Sequence, residues 1–325
     1  MVDNRIRQVV NYFEKNRNSL SEFRNTKRFF QDGSKEVFKN FLSDRRVIKI
    51  HPIIWKPILN GIILNIRPKK SAKLYQKICT ENGFPLLEYT EKQMENLKNI
   101  CPEVEVTIGM SYSEPSIETA LDTLLSKEIE ELNVIPMYPQ YSGTTVGSVF
   151  DSVMNYFIKS DRIVDIKFIR SFYNNPQYID YFSKKINEAL NESPIDAIVF
   201  SYHGIPMSYV KDGDNYPKEC TKTTKLIMDK LGDIRYYQTY QSKFGPSEWL
   251  KPATDDTLKK LPSKGIKNIL IVAPGFVVDC LETIEELEHE NRNYFLENGG
   301  EVYKYVHPFN GDIEFAKLVK DIISL

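Results

Sequence analysis

His203 closes the apolar run Val199-Phe200-Ser201-Tyr202-His203 and is succeeded directly by a Gly-Ile-Pro turn, in a chain with four histidines. A neutral imidazole can take up a proton near pH 7 or ligate a metal. Taken alone, a histidine at a strand end is more often a satisfied structural group than a chemical one. The loop after His203 changes the weighing. "GIPMSYVKDGDNYPKECTKTT" is rich in Gly, Pro, Asp and Tyr and is too long for a simple turn. Long ordered loops in compact domains tend to carry function. A second group lies in "DCLETIEELEHENR", where Glu282, Glu286 and Glu290 recur at i, i+4 and i+8. That spacing predicts three carboxylates stacked on one helical face. Each like-charge pair costs roughly a few tenths of a kcal/mol, which a bound cation removes. A solvated acidic face is the plainer reading, because Glu285 and Glu288 make the helix acidic on its other sides too.

Together the two groups say more. One imidazole and one carboxylate, His203 and Glu282, make a sparse, open site. Such a site suits a metal that arrives and leaves rather than one held permanently. Aromatic residues crowd the same strand ends: Tyr112 in "GMSYSEP", Tyr138 and Tyr141 in "MYPQYSGTT", Trp249 in "QSKFGPSEWLKP". Flat apolar walls fit a large planar ligand, although each residue by itself reads equally as core.

These side chains need a scaffold that brings strand ends together. Short β-rich runs alternate with helical patterns. Strands are expected at 104–109, 133–137, 166–169, 197–201, 235–239 and 268–273, and a helix at 116–127 capped by Ser116. Alternation of this kind predicts an α/β fold with parallel sheets, in which ligands bind beyond the carboxyl ends of the strands. "NVIPMYPQYSGTTVGSVFDSV" and "NILIVAPGFVVDCLETIEELE" repeat one pattern of strand, proline, small-residue loop and helix, which predicts two related lobes. The expected division is 1–150 and 151–310, with the C-terminal helix 311–325 joining the first lobe.

The bulk numbers fit. The chain has 325 residues, 43 basic and 44 acidic, and a net charge of −1, which argues against a polyanion-binding surface and predicts no nucleic-acid partner. Cys79, Cys101, Cys220 and Cys280 are widely spaced and form no C-x-x-C pair. No run reaches bilayer-spanning length and no signal-peptide core opens the chain. The expected location is the cytoplasm. A peripheral contact with the inner membrane is also weighed, through the apolar lip "HPIIWKPILNGIIL" at 51–64, against that segment packing on its own lobe. The lysine-rich stretch 67–77 reads as a solvated helix face.

The segments "FLSDRRVIKIHPIIWKPILNGIILNIRPKKSAKLYQKI", "ENGFPLLEYT", "PMYPQYSGTTVGS", "FSYHGIPMSYVKDGDNYPKEC", "TYQSKFGPSEWLKPATDDTL" and "APGFVVDCLETIEELEHENR" resemble the ferrochelatase family, in wording closest to its proteobacterial members. The resemblance runs from about residue 36 to the C-terminus. It implies two Rossmann-like, doubly wound parallel-sheet lobes facing a central cleft, in the class I chelatase manner. It implies insertion of Fe2+ into protoporphyrin IX to give haem, with release of two protons. The alternatives are coproporphyrin III as the macrocycle, or an inactive porphyrin- or haem-binding relative. His203 matches the family's histidine for iron or porphyrin protons, Glu282 its partner carboxylate, and Glu286 and Glu290 its acidic ladder. Tyr112, Tyr138, Tyr141 and Trp249 are assigned to the porphyrin cleft. Iron is a substrate here, no tightly bound cofactor is implied, and the cysteines do not match the spacing of an iron–sulfur cluster. A monomer or homodimer is expected.

One stretch departs from the family. Its opening strand and N-L-G-x-P loop have no counterpart in residues 1–33, where Val2, Ile6, Val9, Val10 and Phe13 fall at helical spacing and 20–31 offers at most an unconventional strand.

Overall fold

The structure is a computed structural model that describes residues 35–324 apart from 36, 82 and 244. The readings made for residues 1–33 lie outside the described residues. The chain divides into two compact units, 1–136 with 143–169 and 137–142 with 170–325. The crossing point therefore falls near 170, not 150.

In the second unit, β3 (Ala197–His203), β4 (Tyr236–Gln241), β5 (Asn268–Val272) and β6 (Val302–Val306) form a parallel sheet in the order β4-β3-β5-β6. β3 is buried at every position. A strand covered on both faces favours apolar residues on each, which is why Ala197-Ile198-Val199-Phe200 does not alternate, and the buried polar Ser201 and His203 that follow are hydrogen-bonded. Helices Pro176–Glu192, Tyr216–Met228 and Ile313–Ser324 pack on one another over one face, the first against β5 and β6. Thr254–Lys260 packs on β4 and Arg292–Glu297 on β6. The C-terminal helix thus lies in the second unit, in contrast to the expected join with the first lobe. Its apolar stripe of Phe315, Leu318, Val319 and Ile322 is buried there.

In the first unit, β1 (Glu131–Val134) pairs in parallel with β2 (Asp165–Phe168). Leu132 and Val164 pack with Ile117, Leu121, Leu125 and Val153 from helices Ile117–Leu125 and Val146–Ile158. Ser116 does cap its helix, accepting the Thr119 N–H at 3.0 Å. β1 stops at Val134 rather than 137, and Pro136 just beyond it has no N–H to give a ladder. The strand expected at 104–109 is not formed. Val104 and Glu105 are exposed, and among the described residues the nearest bridge is that of Met110, just beyond the segment, to Ser116.

The segment 51–64 packs on its own unit, as one of the two readings has it, and also leaves apolar side chains exposed. It folds as helix Pro52–Ile58, a π-turn Leu59–Ile63 and the start of helix Leu64–Ile78. Trp55, Leu59 and Leu64 pack on Phe38 and Leu42 of the same unit, while Ile54, Ile58, Ile62 and Ile66 form an exposed row at four-residue spacing. Among the described residues no helix is long and apolar enough to cross a membrane.

The second unit's stability should depend on the filled β3 layer. Phe200 is fully buried and meets the Tyr236 ring edge-on at 6.1 Å. Phe200→Ala is expected to cost about 3–5 kcal/mol in denaturant unfolding. A loss below about 1 kcal/mol would show that the layer is not packed as described.

Candidate metal centre

The strand order β4-β3-β5-β6 places a topological switch point between β3 and β5. Chain leaving β3 goes to one side and chain leaving β5 to the other, opening a crevice at their carboxyl ends. His203 ends β3 there, and Glu282 begins the helix that comes after β5.

His203 is 9% exposed, and its Nδ1 lies 2.7 Å from the Gly204 carbonyl oxygen. A carbonyl only accepts, so Nδ1 carries the proton and the ring's lone pair falls on Nε2. Gly204 is required at this point. A Cβ would sit 3.0 Å from the Gln241 carbonyl oxygen and 3.2 Å from the Trp249 ring. The Gly204 N–H donates to that same Gln241 carbonyl at 2.8 Å, continuing the β3–β4 ladder in which His203 is paired with Gln241. Trp249 is buried beside this turn, on a segment that pairs back through Pro206.

Glu282 to Asn291 form a ten-residue π-helix, not the α-helix that the i, i+4 spacing predicts. Hydrogen bonds close from i to i+5 in such a turn, and most π-helices are single turns at functional sites. The carboxylates still succeed one another, but their surroundings are graded. Glu282 is buried, Glu286 is partly buried and Glu290 is exposed. Glu286 accepts the Ser242 N–H at 2.8 Å and the Ser242 hydroxyl, with the Gln241 amide at 3.4 Å. Burial pushes the Glu286 carboxyl up to about 7, although the Ser242 donors pull in the other direction.

The start of this helix is anchored from behind. Asp279 accepts from Thr283 (2.8 Å), Tyr305 (3.0 Å), His307 (2.8 Å) and Asn310 (2.7 Å). Burial opposes its charge, yet these donors outweigh it and hold the Asp279 carboxyl below its usual range. The same contact raises His307.

The aromatic residues fall in two groups. Tyr138 and Tyr141 belong to 137–142, the short segment assigned to the second unit. Tyr141 is held by the buried Glu219, which accepts its N–H at 2.7 Å and pairs with Arg170 at 2.8 Å. The Arg170 guanidinium lies 4.1 Å over the Tyr141 ring. Tyr112 belongs to the first unit, where its hydroxyl donates to Asp44 at 2.5 Å beside Ser148. Gln241 links the elements that carry His203 and Glu282, since it is paired with His203 across β3 and β4 and its amide donates to the Glu282 carbonyl. Trp249 lies beside Gly204, and Glu290 is at the exposed end of the row. Among the described residues no group of three or more His, Cys, Asp or Glu side chains is placed to hold a metal. Gln241 and Ser242 escaped the sequence reading. Their signal was a polar pair ending a strand just before a Gly-Pro loop.

A sequence model of the ferrochelatase family matches residues 31–325. The chain is 98% identical over 291 residues to the coproporphyrin III ferrochelatase of Enterococcus faecalis, covering 90% of this chain and 93% of that protein. It is 43% identical over 296 residues to that of Lactococcus lactis subsp. lactis, covering 90% and 92%. Among solved structures, SirB from Bacillus subtilis with Fe3+ superposes with a TM-score of 0.52 at 14% identity, over 71% of this chain and 88% of that one, and so shares its fold. The relatives correct one expectation: both are named for coproporphyrin III, so protoporphyrin IX does not stand as the macrocycle. Motifs around the metal-handling groups cannot register which substituents a porphyrin carries at its rim. With the family sequence matched from residue 31 onward and the parallel α/β fold in place, this chain belongs to the ferrochelatase family.

Proposed function

We infer that the protein inserts ferrous iron into coproporphyrin III, with His203 and Glu282 as the groups nearest the reaction. What supports this most is that His203 ends β3 and Glu282 opens the helix after the neighbouring β5, on a chain 98% identical to a coproporphyrin III ferrochelatase. A free-base porphyrin holds two N–H protons that have to leave as Fe2+ enters, so the reaction releases two protons and changes no oxidation state. A planar macrocycle shields its nitrogens, and binding it bent exposes a lone pair to the incoming metal.

The residues divide this work. With Nδ1 tied to the Gly204 carbonyl, His203 presents Nε2 as proton acceptor. Glu282 offsets the charge of the dication. Glu286, with a carboxyl near 7, is partly protonated at neutral pH and can both take a proton and pass it on. Glu290, exposed at the end of the row, delivers it to solvent. Trp249, Tyr138 and Tyr141 supply flat walls.

Absorbance assays with ferrous iron test the reading. Coproporphyrin III should be turned over with a higher kcat/KM than protoporphyrin IX, and His203→Ala and Glu282→Gln should each lose at least about a hundredfold in kcat/KM, the scale of a lost general base. Equal use of both porphyrins would remove the substrate assignment, and turnover that survives both substitutions would remove the site.

Glu286 also makes a pH prediction. Its folded carboxyl titrates near 7 against an ordinary value of 4.5, so the fold holds this proton more tightly than the unfolded chain does. Stability from this group is present below the unfolded value and is lost as pH rises through the folded one, by roughly 3 kcal/mol at most. Glu286→Gln should therefore gain stability relative to the parent between about pH 5 and about pH 8. A difference that stays flat across that range would contradict the raised carboxyl.

A further inference from the structure

We propose that Gln241 and Ser242 act as positioning residues, a clamp from the end of β4 that holds the first turn of the π-helix and aims its carboxylates at the incoming metal. The proposal rests on the metal-insertion reading and deepens it by naming what keeps the ladder in place.

The geometry is specific. Gln241 is 3% exposed and ends β4 in register with His203. Its Oε1 accepts the hydroxyl of Ser201, a β3 residue, at 2.7 Å, which fixes how the amide is turned. Nε2 therefore points the other way, and it donates to the backbone carbonyl of Glu282 at 2.9 Å. One side chain thus joins β4, β3 and the helix after β5. Ser201 is itself held by Thr254, which also meets Thr239 at 2.9 Å, so the anchor is buried and closed on the strand side.

Ser242 completes the clamp. Its φ is 63°, in the left-handed region that non-glycine residues seldom adopt. Such strain persists where the surroundings over-determine it and clusters at functional positions. Here the conformation turns both the N–H and the hydroxyl of one residue onto the two oxygens of Glu286. Gln241 thus fixes the backbone at Glu282, and Ser242 fixes the side chain one step along the row. Partners that orient metal-handling groups without touching the metal commonly change affinity or activity by about 10–100-fold when removed.

The test compares the full-length protein with Gln241→Met and Ser242→Gly. Methionine keeps the length of the side chain and loses its hydrogen bonds to Ser201, Glu282 and Glu286. Glycine keeps the positive φ and the N–H and loses only the hydroxyl. In steady-state insertion of ferrous iron into coproporphyrin III, Gln241→Met should raise the KM for iron about tenfold or more and leave the KM for porphyrin unchanged. Ser242→Gly should shift the iron KM in the same direction by less. Amide hydrogen exchange over 282–291 should quicken in Gln241→Met, with exchange in β3 and β5 unchanged. An iron KM equal to the parent's in both variants would overturn the proposal. So would a joint rise in both KM values with a lowered melting temperature, since that marks a general structural role. If the parent protein turns nothing over, the chelatase reading fails on its own, and unaltered exchange over 282–291 would then refute the clamp independently.

Discussion

Parallel pairing of β3 with β4 on one side and β5 on the other is the constraint that creates the site. β3, buried at every position and led by an apolar run, lies in the middle of the sheet, and the chain crosses it to place β5. That crossing sets a switch point, with His203 at the end of β3 and the Glu282–Asn291 helix in the chain that leaves β5. Nothing about the imidazole or the carboxylates selects this geometry. It is set by backbone pairing and by apolar burial in the layer beneath.

The polar groups are then held against considerable opposition. Burying carboxylates is unfavourable unless donors compensate. Asp279 meets that demand with four donors and stays below the usual range, which makes it an anchor. Glu286 receives Ser242 and one longer contact from Gln241, and burial still wins, so its carboxyl titrates near neutrality. The same helix thus has a charged anchor behind its first turn and a carboxyl raised toward neutrality on its next one. Burial falls from Glu282 to exposed Glu290, the order on which the proposed proton route is built.

The sequence made much of this legible, for identifiable reasons. Strands β3, β4 and β5 of the second unit were readable because apolar runs are a local signal, whereas β6, with Lys304 in its middle, was not expected, and His203 was readable as the polar end of such a run. The acidic row was visible as a spacing, but four-residue spacing does not distinguish an α-turn from a π-turn, so the helix type was missed. Gln241 and Ser242 were hidden because their roles depend on register across β3, which no local pattern reports. The strand expected at 104–109 failed on the same ground: a β-rich run becomes a strand only when a neighbour completes its ladder. The macrocycle was misread because its identity lies in rim substituents, outside the groups that handle metal.

The central claim is that His203 and Glu282 jointly receive the metal at the switch point of the second unit. It is tested most directly by anomalous diffraction from crystals of the protein soaked with Co2+ without porphyrin, as a divalent stand-in for ferrous iron. The account predicts one dominant anomalous peak within about 2.0–2.2 Å of His203 Nε2 and of a Glu282 carboxylate oxygen, the distances usual for nitrogen and oxygen donors. A dominant peak elsewhere, with no density between these two side chains, would contradict it.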